Sequence, residues 1–363
     1  MRQEIRDQMR NDIPLFAEKI MAYEAGEVDK KAYKGFSGGF GSYPQREGGY
    51  MLRLRMAGGR LTKERLEYLA KSVEEYGVDR MKLTTCQTVQ FHNLSAQDTI
   101  ELMTKAIDVD IITRGGGGDF PRNTMASPLS GVEQGEYFDV QPWAEEAGEY
   151  LLTLVRDVHM PRKLKVCFSN SPANVTHATF RDLGFAARPD GKFDVYCAGG
   201  LGPNPKLGVQ VVEGLEPENI PACIDTMISI FTAHGNYENR AKARTRYLQE
   251  VLGVEGLKAE FAKVLEEKLP TSPKLSVQSV VVDKQPAGQI GGERVIPQKQ
   301  EGLYAVAYHP KGGNLPADKP RMLFEVIRDM PLVEGRIAPD GTLYFINLTA
   351  MEAQAVLSAT SDS

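Results

Sequence analysis

An internal repeat is the feature that most constrains how this chain can fold. The segment GGYMLRLRMAGGRLTKERLEYLAKSVEEYG, followed by MKLTTCQTVQFHNL, resembles EGLYAVAYHPKGGNLPADKPRMLFEVIRDM and EGRIAPDGTLYFINL near the end of the chain. Gly58-Gly59 aligns with Gly312-Gly313, and Asn93-Leu94 aligns with Asn347-Leu348, in both cases 254 residues later and without a net gap. A shared order of strand, glycine pair, helix and strand indicates a duplication.

Each copy has the pattern of a small α+β unit. Residues 50–56 alternate between apolar and polar side chains, which is typical of a half-buried strand. Residues 61–76 carry apolar side chains at helical spacing, and Gly77 suits the end of that helix. Residues 88–94 alternate again. This order predicts half of a ferredoxin-like unit, and two such halves would pair around a pseudo-two-fold axis.

The repeat also predicts the organisation of the whole chain, with a larger α+β domain between the two copies. That domain contains the glycine loop RGGGGDFPRN, a helix near residues 141–157 and a long amphipathic stretch over 217–268. The expected parts are an N-terminal arm at 1–41, a first half-domain at 42–112, the larger domain at 113–270, a linker with one short strand at 271–297 and a second half-domain at 298–363.

Composition excludes several functional classes. Lys and Arg number 43 and Asp and Glu number 48, so the net charge is −5, which argues against a general nucleic-acid binder. The sequence contains no long uncharged apolar run, so no membrane helix is predicted. The first ten residues, MRQEIRDQMR, lack the apolar core of a secretory signal. We therefore expect a cytoplasmic protein. The four cysteines form no CxxC pair, so no zinc ribbon is predicted.

The strand pattern places hydrogen-bond donors on one face of the first copy. Arg53 and Arg55 lie opposite the apolar side chains of their strand, and Gln90 and His92 lie opposite Val89 and Phe91 of the other. A solvated face would have stayed generally polar in both copies, whereas here one copy is rich in donors, which indicates one working site and one structural copy. The second copy is largely apolar at these positions, which hold Ala307, His309, Tyr344 and Ile346.

A second basic group occurs in the sequence PRKLKVCF. Alternation puts Lys163 and Lys165 on one face of a predicted strand, with Arg162 beside them. Arg122, just after the glycine loop, is a further donor. Arginine offers a rigid fork to planar anions, and lysine offers a compact charge and a transferable proton. Such a group predicts a site that binds an anion and can protonate it.

These motifs, taken in order, resemble the siroheme-dependent sulfite and nitrite reductases. The most specific segments are QTVQFHN, FPRN and PRKLK, and the resemblance extends over essentially the whole chain. It implies two ferredoxin-like half-domains alternating with larger siroheme and iron–sulfur domains. It also implies a six-electron reduction of sulfite to sulfide, or of nitrite to ammonia, with sulfite weakly favoured. A separate donor such as ferredoxin is implied, because no flavin or NAD(P)H module is visible.

The resemblance also assigns roles to individual residues. It implies that sulfite or nitrite would be held, and protonation assisted, by Arg53, Arg122, Lys163 and Lys165. Lysine, acting through ordered water, is a reasonable proton donor. It implies contacts to siroheme and its water network for Arg55, Lys82, Gln90, His92 and Arg162.

The sequence departs from this family in two places. Cys86 stands in TTCQ where the family usually has an arginine that pairs with a siroheme carboxylate. The two closely spaced cysteine pairs that bind the family's [4Fe–4S] cluster are missing. We therefore expect the chain to cover roughly the first two-thirds of a complete enzyme, with its cluster ligands beyond residue 363, and to be inactive alone.

Three other interpretations compete with this one. A nucleotide-binding enzyme is disfavoured, because GGGGDFPRN lacks the GK[ST] of a P-loop and GGLGPNPKLG lacks GxGxxG. A non-catalytic binding module that kept the fold stays open. A nucleic-acid-binding protein is disfavoured, because the basic residues that would contact the nucleic acid are spread around a predicted helix and do not form one stripe. Those residues are Arg240, Lys242, Arg244 and Arg246.

Overall fold

The computed structural model describes residues 1–278 and 281–361. Residues 279 and 280, in the predicted linker, and 362 and 363, at the end of the predicted second half-domain, lie outside the described residues. The chain divides into two compact units. The first unit comprises Met1–Gly117, Val132–Gly135 and the described part of Val280–Ser363, and the second comprises Gly118–Gly131 and the described part of Glu136–Ser279.

The N-terminal part of the first unit begins with two helices and continues as the first copy of the repeat. Its elements are α1 (Gln3–Glu24), α2 (Lys30–Ser37), β1 (Ser42–Pro44), β2 (Tyr50–Arg55), β3 (Arg60–Leu61), α3 (Lys63–Glu75), β4 (Arg80–Leu83), β5 (Thr88–Leu94) and α4 (Ala96–Ala106). Strand β5 has the predicted bounds, and β2 ends one residue before the predicted strand does.

The second unit follows along the chain. Its elements are β6 (Met125–Ala126), α5 (Gln141–Leu154), β7 (Val166–Ser169), β8 (Leu183–Ala187), β9 (Phe193–Cys197), β10 (Val209–Leu215), α6 (Ile220–His234), α7 (Leu248–Val251) and α8 (Val254–Lys268). The chain then returns to the first unit as the second copy. That copy comprises β11 (Val295–Pro297), β12 (Tyr304–Tyr308), β13 (Asn314–Pro316), α9 (Lys319–Ile327), β14 (Glu334–Ile337), β15 (Leu343–Leu348) and α10 (Ala350–Ala359).

The two copies of the repeat exchange a short strand. One five-stranded sheet has the order β1-β2-β5-β4-β13 and the other has the order β11-β12-β15-β14-β3. Strand β13 of the second copy thus completes the first sheet, and β3 of the first copy completes the second. The predicted α+β class, with two ferredoxin-like half-domains related by a pseudo-two-fold, is confirmed.

The repeat extends to individual backbone angles. Asn93 and Asn347 both adopt a left-handed conformation, with φ of 61° and 63°. Gly58 and Gly312, which begin the aligned glycine pairs, both have φ of 62°. Asparagine and glycine are the residues that reach this region at low cost. The two copies therefore share the same turns as well as the same order of elements.

The caps of the last helix in each copy are also equivalent. Ser95 begins α4, where its side chain accepts from the Asp98 N–H and the Asp98 carboxylate accepts from the Ser95 N–H. Thr349 and Glu352 make the same reciprocal pair at α10. Each capping box satisfies two backbone N–H groups that a helix start leaves unpaired. The S/T-x-x-D/E spacing in the sequence thus fixes where both helices begin.

The second unit contains one mixed sheet covered by helices. Its order is β10-β9-β8-β7-β6, in which β6, β7 and β8 run parallel and the other pairs are antiparallel. Phe168 stacks on Phe185 with 4.8 Å between ring centroids, and Phe193 packs edge-on against both. Because β6, β7 and β8 are parallel, the residues that precede them meet at one edge of the sheet.

Candidate functional site

In the first unit, three polar side chains form a row across neighbouring strands. The register pairs Gln90 of β5 with Arg53 of β2 on one side and with Lys82 of β4 on the other. Val89 and Phe91, which alternate with Gln90, are fully buried. The predicted alternation is therefore correct for β5. It leaves Gln90 and its two basic neighbours on the opposite face of the sheet.

Arg53 is fixed by two acceptors. Its Nη1 donates to the carbonyl of Gly116 in the glycine loop. With the Gln90 amide oriented so that its oxygen faces the guanidinium, that oxygen accepts from Arg53 Nε at 3.1 Å and from Nη2 at 2.8 Å. Both acceptors are neutral, so Arg53 is held in place and its charge is not cancelled by them.

His92 lies close to the same cations. Its Nδ1 is 3.3 Å from Gln45 Nε2, so the imidazole accepts through Nδ1. Burial lowers the pKa of His92, and Arg80, Lys82 and Arg53 lower it further. The ring is therefore neutral at physiological pH. Arg80 is a basic neighbour that the sequence analysis missed, since its position at the start of β4 carries no motif.

Arg55 is more deeply buried than its strand pattern suggests. It was expected on the same open face as Arg53, but its side chain is only 4% exposed. Arg55 Nη1 donates to the carbonyl of Arg114 at 2.7 Å. The backbone of Arg55 also exchanges two hydrogen bonds with Ile112. Arg55 thus ties the end of β2 to the start of the glycine loop.

In the second unit, the backbone brings Arg122 beside the two lysines. Pro121 and Leu164 form a parallel bridge, and the Arg122 N–H donates to the Leu164 carbonyl at 2.8 Å. The prediction that both lysines lie in a strand was wrong in its bounds, because β7 begins only at Val166. Lys163 and Lys165 lie in the extended segment just before it. This short bridge is a tertiary pairing with Pro121, so the local sequence could not define it.

These residues form a basic cluster, defined here as Arg122, Arg162, Lys163, Lys165 and Arg244. Burial lowers the pKa of Lys163 to about 8, and its four cationic neighbours in the cluster act in the same direction. Like charges held together disfavour the charged form of a lysine, and a bound anion would reverse that effect. The cluster therefore has the electrostatics of an anion site.

Two carboxylates orient the arginines of the basic cluster. The buried Asp182 accepts from Arg244 Nη2 at 3.0 Å and from the Lys165 N–H at 2.8 Å. Asp119, in the glycine loop, accepts from Arg162 Nη1 at 3.2 Å and from Arg240 Nη1 at 2.8 Å. Neither carboxylate was singled out from the sequence, because a lone aspartate has no distinctive spacing.

Some donors of the cluster are buried without a partner among the described residues. They are the Nε groups of Arg162 and Arg244. A buried N–H without an acceptor costs roughly 1–3 kcal/mol, so such groups are typical of sites that a ligand completes. The expectation that residues 240–246 lie on a helix was wrong. Arg240–Lys242 and Thr245–Tyr247 are separate 3₁₀ turns, so Arg244 can turn toward Asp182.

The cysteines do not converge on a metal site. Among the described residues, no group of three or more His, Cys, Asp or Glu side chains could hold a metal ion. Cys167, Cys197 and Cys223 are buried, and burial raises the pKa of the Cys167 thiol to about 11. Cys86 follows β4 in the first unit, where its N–H donates to Thr84 Oγ1 at 3.3 Å.

Two protein-family models match this chain. "Nitrite and sulphite reductase 4Fe-4S domain" matches residues 117–269, and "Nitrite/Sulfite reductase ferredoxin-like half domain" matches residues 43–108. Together they cover more than half of the chain. This chain belongs to the nitrite and sulfite reductase family. The family resemblance of the QTVQFHN, FPRN and PRKLK segments is thereby confirmed.

Curated members of the nitrite and sulfite reductase family are similar over most of this chain. "Sulfite reductase [ferredoxin]" of Mycobacterium tuberculosis is 28% identical over 311 residues, which cover 79% of this chain and 54% of that protein. "Ferredoxin--nitrite reductase, chloroplastic" of Arabidopsis thaliana is 26% identical over 322 residues, which cover 85% of this chain and 54% of that protein. The chain thus spans about half the length of these relatives.

A solved structure has a similar fold. The Mycobacterium tuberculosis NirA protein superposes with a TM-score of 0.74 and 25% sequence identity, covering 94% of this chain and 67% of that chain. Among the residues described, no helix combines the length and hydrophobicity that crossing a bilayer requires.

Proposed function

We propose that this chain supplies the substrate-binding and siroheme-binding cations of a ferredoxin-dependent sulfite reductase. The observation that carries the proposal is the basic cluster around Lys163, where burial and neighbouring cations lower the pKa of a lysine to about 8. A bound oxyanion would relieve that repulsion. The reaction is the six-electron reduction of sulfite to sulfide. Nitrite, reduced to ammonia, is the alternative substrate, because it is also a small oxyanion that the same cations can bind.

The residues present fit siroheme. Siroheme is a polycarboxylate, and buried arginine N–H groups without a partner are suitable donors to carboxylates. Arg162 has such a group in its Nε. We therefore assign Arg162 to a siroheme carboxylate. The assignment of Arg55, Lys82, Gln90 and His92 of the first unit to siroheme rests on the family resemblance alone. When bound, siroheme supplies the iron at which the oxyanion is reduced.

The chain's own residues bind the oxyanion and supply protons. In the second unit, Arg122 and Lys165 bind the anion through their charge and their N–H groups. The family resemblance assigns anion binding to Arg53 of the first unit as well. Lys163 Nζ is the proton donor, since an amine with a pKa of about 8 is protonated at neutral pH and still releases its proton readily. His92, which is neutral and accepts from Gln45 through Nδ1, donates through its Nε2–H to water or an oxyanion oxygen beside it.

The described residues do not fit a [4Fe–4S] cluster. Such clusters are held by four convergent thiolates, and the described residues contain no convergent group of that kind. No step on this chain is therefore assigned to a cluster. We expect the 363-residue chain alone not to catalyse the six-electron reduction.

The electron donor in this proposal is ferredoxin or a similar protein. Its support is that the relatives above carry "ferredoxin" in their names. The described residues contain no disulfide bond, which supports a reducing compartment such as the cytoplasm. Neither a membrane nor a nucleic acid takes part in the reaction as proposed.

A visible absorption spectrum tests the proposal. The chain is produced with siroheme supplied, and sulfite is then added to the purified protein. We expect siroheme bands that shift with sulfite, and a sulfite affinity about tenfold weaker in Lys165→Met. Lys258→Met, on the exposed face of α8, is the matched control and should bind sulfite like the wild type. A chain that folds but binds no siroheme contradicts the proposal and favours the non-catalytic binding module.

A further inference from the structure

The pseudo-two-fold relates two equivalent rows of side chains, one in each sheet of the repeat. In the first sheet the row crosses four strands and contains Asn314, Lys82, Gln90 and Arg53. In the second sheet the equivalent row contains Arg60, Arg336, Tyr344 and Ala307. Both rows carry two cations, so the groups that hold those cations decide how much charge each row presents.

In the second row the cations are held by a carboxylate. Glu334 Oε2 accepts from Arg60 Nε at 2.8 Å, and Glu334 Oε1 accepts from Arg336 Nε at 2.6 Å. Glu334 lies two residues before Arg336 on the same face of β14. The second copy thus carries its own internal anion. An external anion should therefore bind only weakly there.

In the first row, Arg53 is held by the amide of Gln90. The Gln90 oxygen accepts from Arg53 Nε and Nη2, and the Gly116 carbonyl accepts from Nη1. These contacts use three of the five N–H groups of a guanidinium, which leaves one each on Nη1 and Nη2 for a ligand. An amide oxygen orients the guanidinium as a carboxylate would, but it adds no negative charge.

We propose that Gln90 is a positioning residue: it fixes the orientation of the Arg53 guanidinium without neutralising it, so that Arg53 can bind an oxyanion. This inference rests on the proposed function, because the oxyanion is its substrate. It gives Gln90 a role different from direct contact with siroheme. It also explains why a neutral side chain stands at this position between two basic residues.

The test compares Gln90→Met with Gln90→Glu in the full chain. Methionine removes the acceptor, whereas glutamate keeps the acceptor and adds the negative charge that the second row has. Gln97→Met, at an exposed position on α4, is the control for a Gln-to-Met change in the same unit. Nitrogen-15 NMR of the arginine side chains follows the Arg53 Nε–H signal, which is assigned by its loss in Arg53→Lys.

The first readout is exchange of the Arg53 Nε–H with water, measured without any anion. We expect exchange about tenfold faster in Gln90→Met, since a hydrogen bond to a charged group is lost, and unchanged exchange in Gln90→Glu and Gln97→Met. Unchanged exchange in Gln90→Met would overturn the proposal. The second readout is the shift of the same signal as sodium sulfite is added.

We expect sulfite binding at Arg53 to weaken about tenfold in both Gln90 variants, for different reasons. Methionine leaves Arg53 without its orientation, and glutamate competes with sulfite as an internal anion. Gln90→Glu that binds sulfite as tightly as the wild type would overturn the proposal, because charge at this position would then not matter. A third result is possible: Gln90→Met exchanges faster than the wild type, but the wild type binds no sulfite. In that case the substrate assignment fails, while the positioning of Arg53 by Gln90 stands.

Discussion

Glu334 of the second half-domain accepts a hydrogen bond from Arg60 of the first, with 2.8 Å between Oε2 and Nε. Burial acts to raise the pKa of Glu334, but Arg336 and Arg60 oppose it and the pKa lies below its ordinary value. A second ion pair also joins the two copies, because Arg321 Nη2 lies 2.6 Å from Glu74 Oε2. The two carboxylates differ in burial, since Glu334 is 12% exposed and Glu74 is 50% exposed, and Glu334 also pairs with a second arginine, Arg336.

Glu334→Gln should destabilise the first unit much more than Glu74→Gln. Removing the Glu334 charge leaves two arginines facing each other with little solvent, and breaking a buried ion pair costs about 3–5 kcal/mol. Breaking the exposed pair of Glu74 costs about 1 kcal/mol or less. Urea denaturation at neutral pH measures both values. Equal losses in the two variants would contradict the role assigned to burial.

The same pair predicts an acid-sensitive step. Because the folded-state pKa of Glu334 is lowered, its contribution to stability is present above the ordinary carboxyl pKa and is lost as the pH falls through the folded-state value. The stability gap between the wild type and Glu334→Gln should therefore shrink below about pH 4. Denaturation curves at several pH values measure this gap.

The repeat allowed the sequence to predict most of the first unit. The bounds of β5 follow from an alternation of side chains that is visible in the sequence. The left-handed turns at Asn93 and Asn347 were not predicted. The exchange of β3 and β13 between the copies was not predictable. A strand as short as Arg60–Leu61 shows no periodicity, and its partner Gly335 lies far away in the chain.

The candidate site was predicted in its residue types more than in its geometry. Arg122, Lys163 and Lys165 were found because their motifs are distinctive, and they lie together in the second unit. Asp182, which orients Arg244, was missed because its contacts are tertiary. The burial of Arg55 was not predicted, because alternation in a strand says which face a side chain is on, not whether another segment covers that face.

Gly59→Ala should be among the more damaging single changes in the first copy. Gly59 has φ of +65°, and an added Cβ would lie 2.7 Å from the Ile337 carbonyl oxygen, closer than real Cβ atoms approach. Gly77 is a matched control, with φ of +61° and no atom within 4 Å of an added Cβ. We expect a loss of about 3 kcal/mol for Gly59→Ala and about 1 kcal/mol for Gly77→Ala. Thermal unfolding of both variants measures the difference, and equal losses would mean that the approach to Ile337 is easily relieved.

Nitrite affinity should fall as the pH rises through about 8, the pKa to which burial and its cationic neighbours lower Lys163. The sign follows from the lysine losing its charge above that pH, and nitrite is a suitable probe because its own charge is constant there. We expect affinity about tenfold weaker on the alkaline side. In Lys163→Met the nitrite affinity should not fall near pH 8. If it still falls there, the change in affinity belongs to another titrating group.

Lys163→Met should also stabilise the chain without an anion. Below the lowered pKa the folded state holds Lys163 charged among other cations, and removing that charge relieves the repulsion. A gain of about 1 kcal/mol is typical when a strained functional group is replaced. Denaturation without added anions measures this gain. A loss of stability would show that packing of the lysine stem outweighs its charge.

Arg162→Met should weaken siroheme binding, and Arg188→Met should not. The two arginines of the second unit are similarly exposed, at 29% and 27%, and both pair with carboxylates. They differ in that Arg162 Nε is buried without a partner among the described residues, whereas Arg188 Nε donates to Asp190. If siroheme carboxylates complete the Arg162 site, its loss removes a charge-assisted hydrogen bond worth about 1.5–3 kcal/mol, or roughly a tenfold to hundredfold weaker affinity. Titration of the apoprotein with siroheme, followed by visible absorption, measures that change. Equal affinities for the two variants would remove Arg162 from the siroheme site and leave its buried Nε to a bound water.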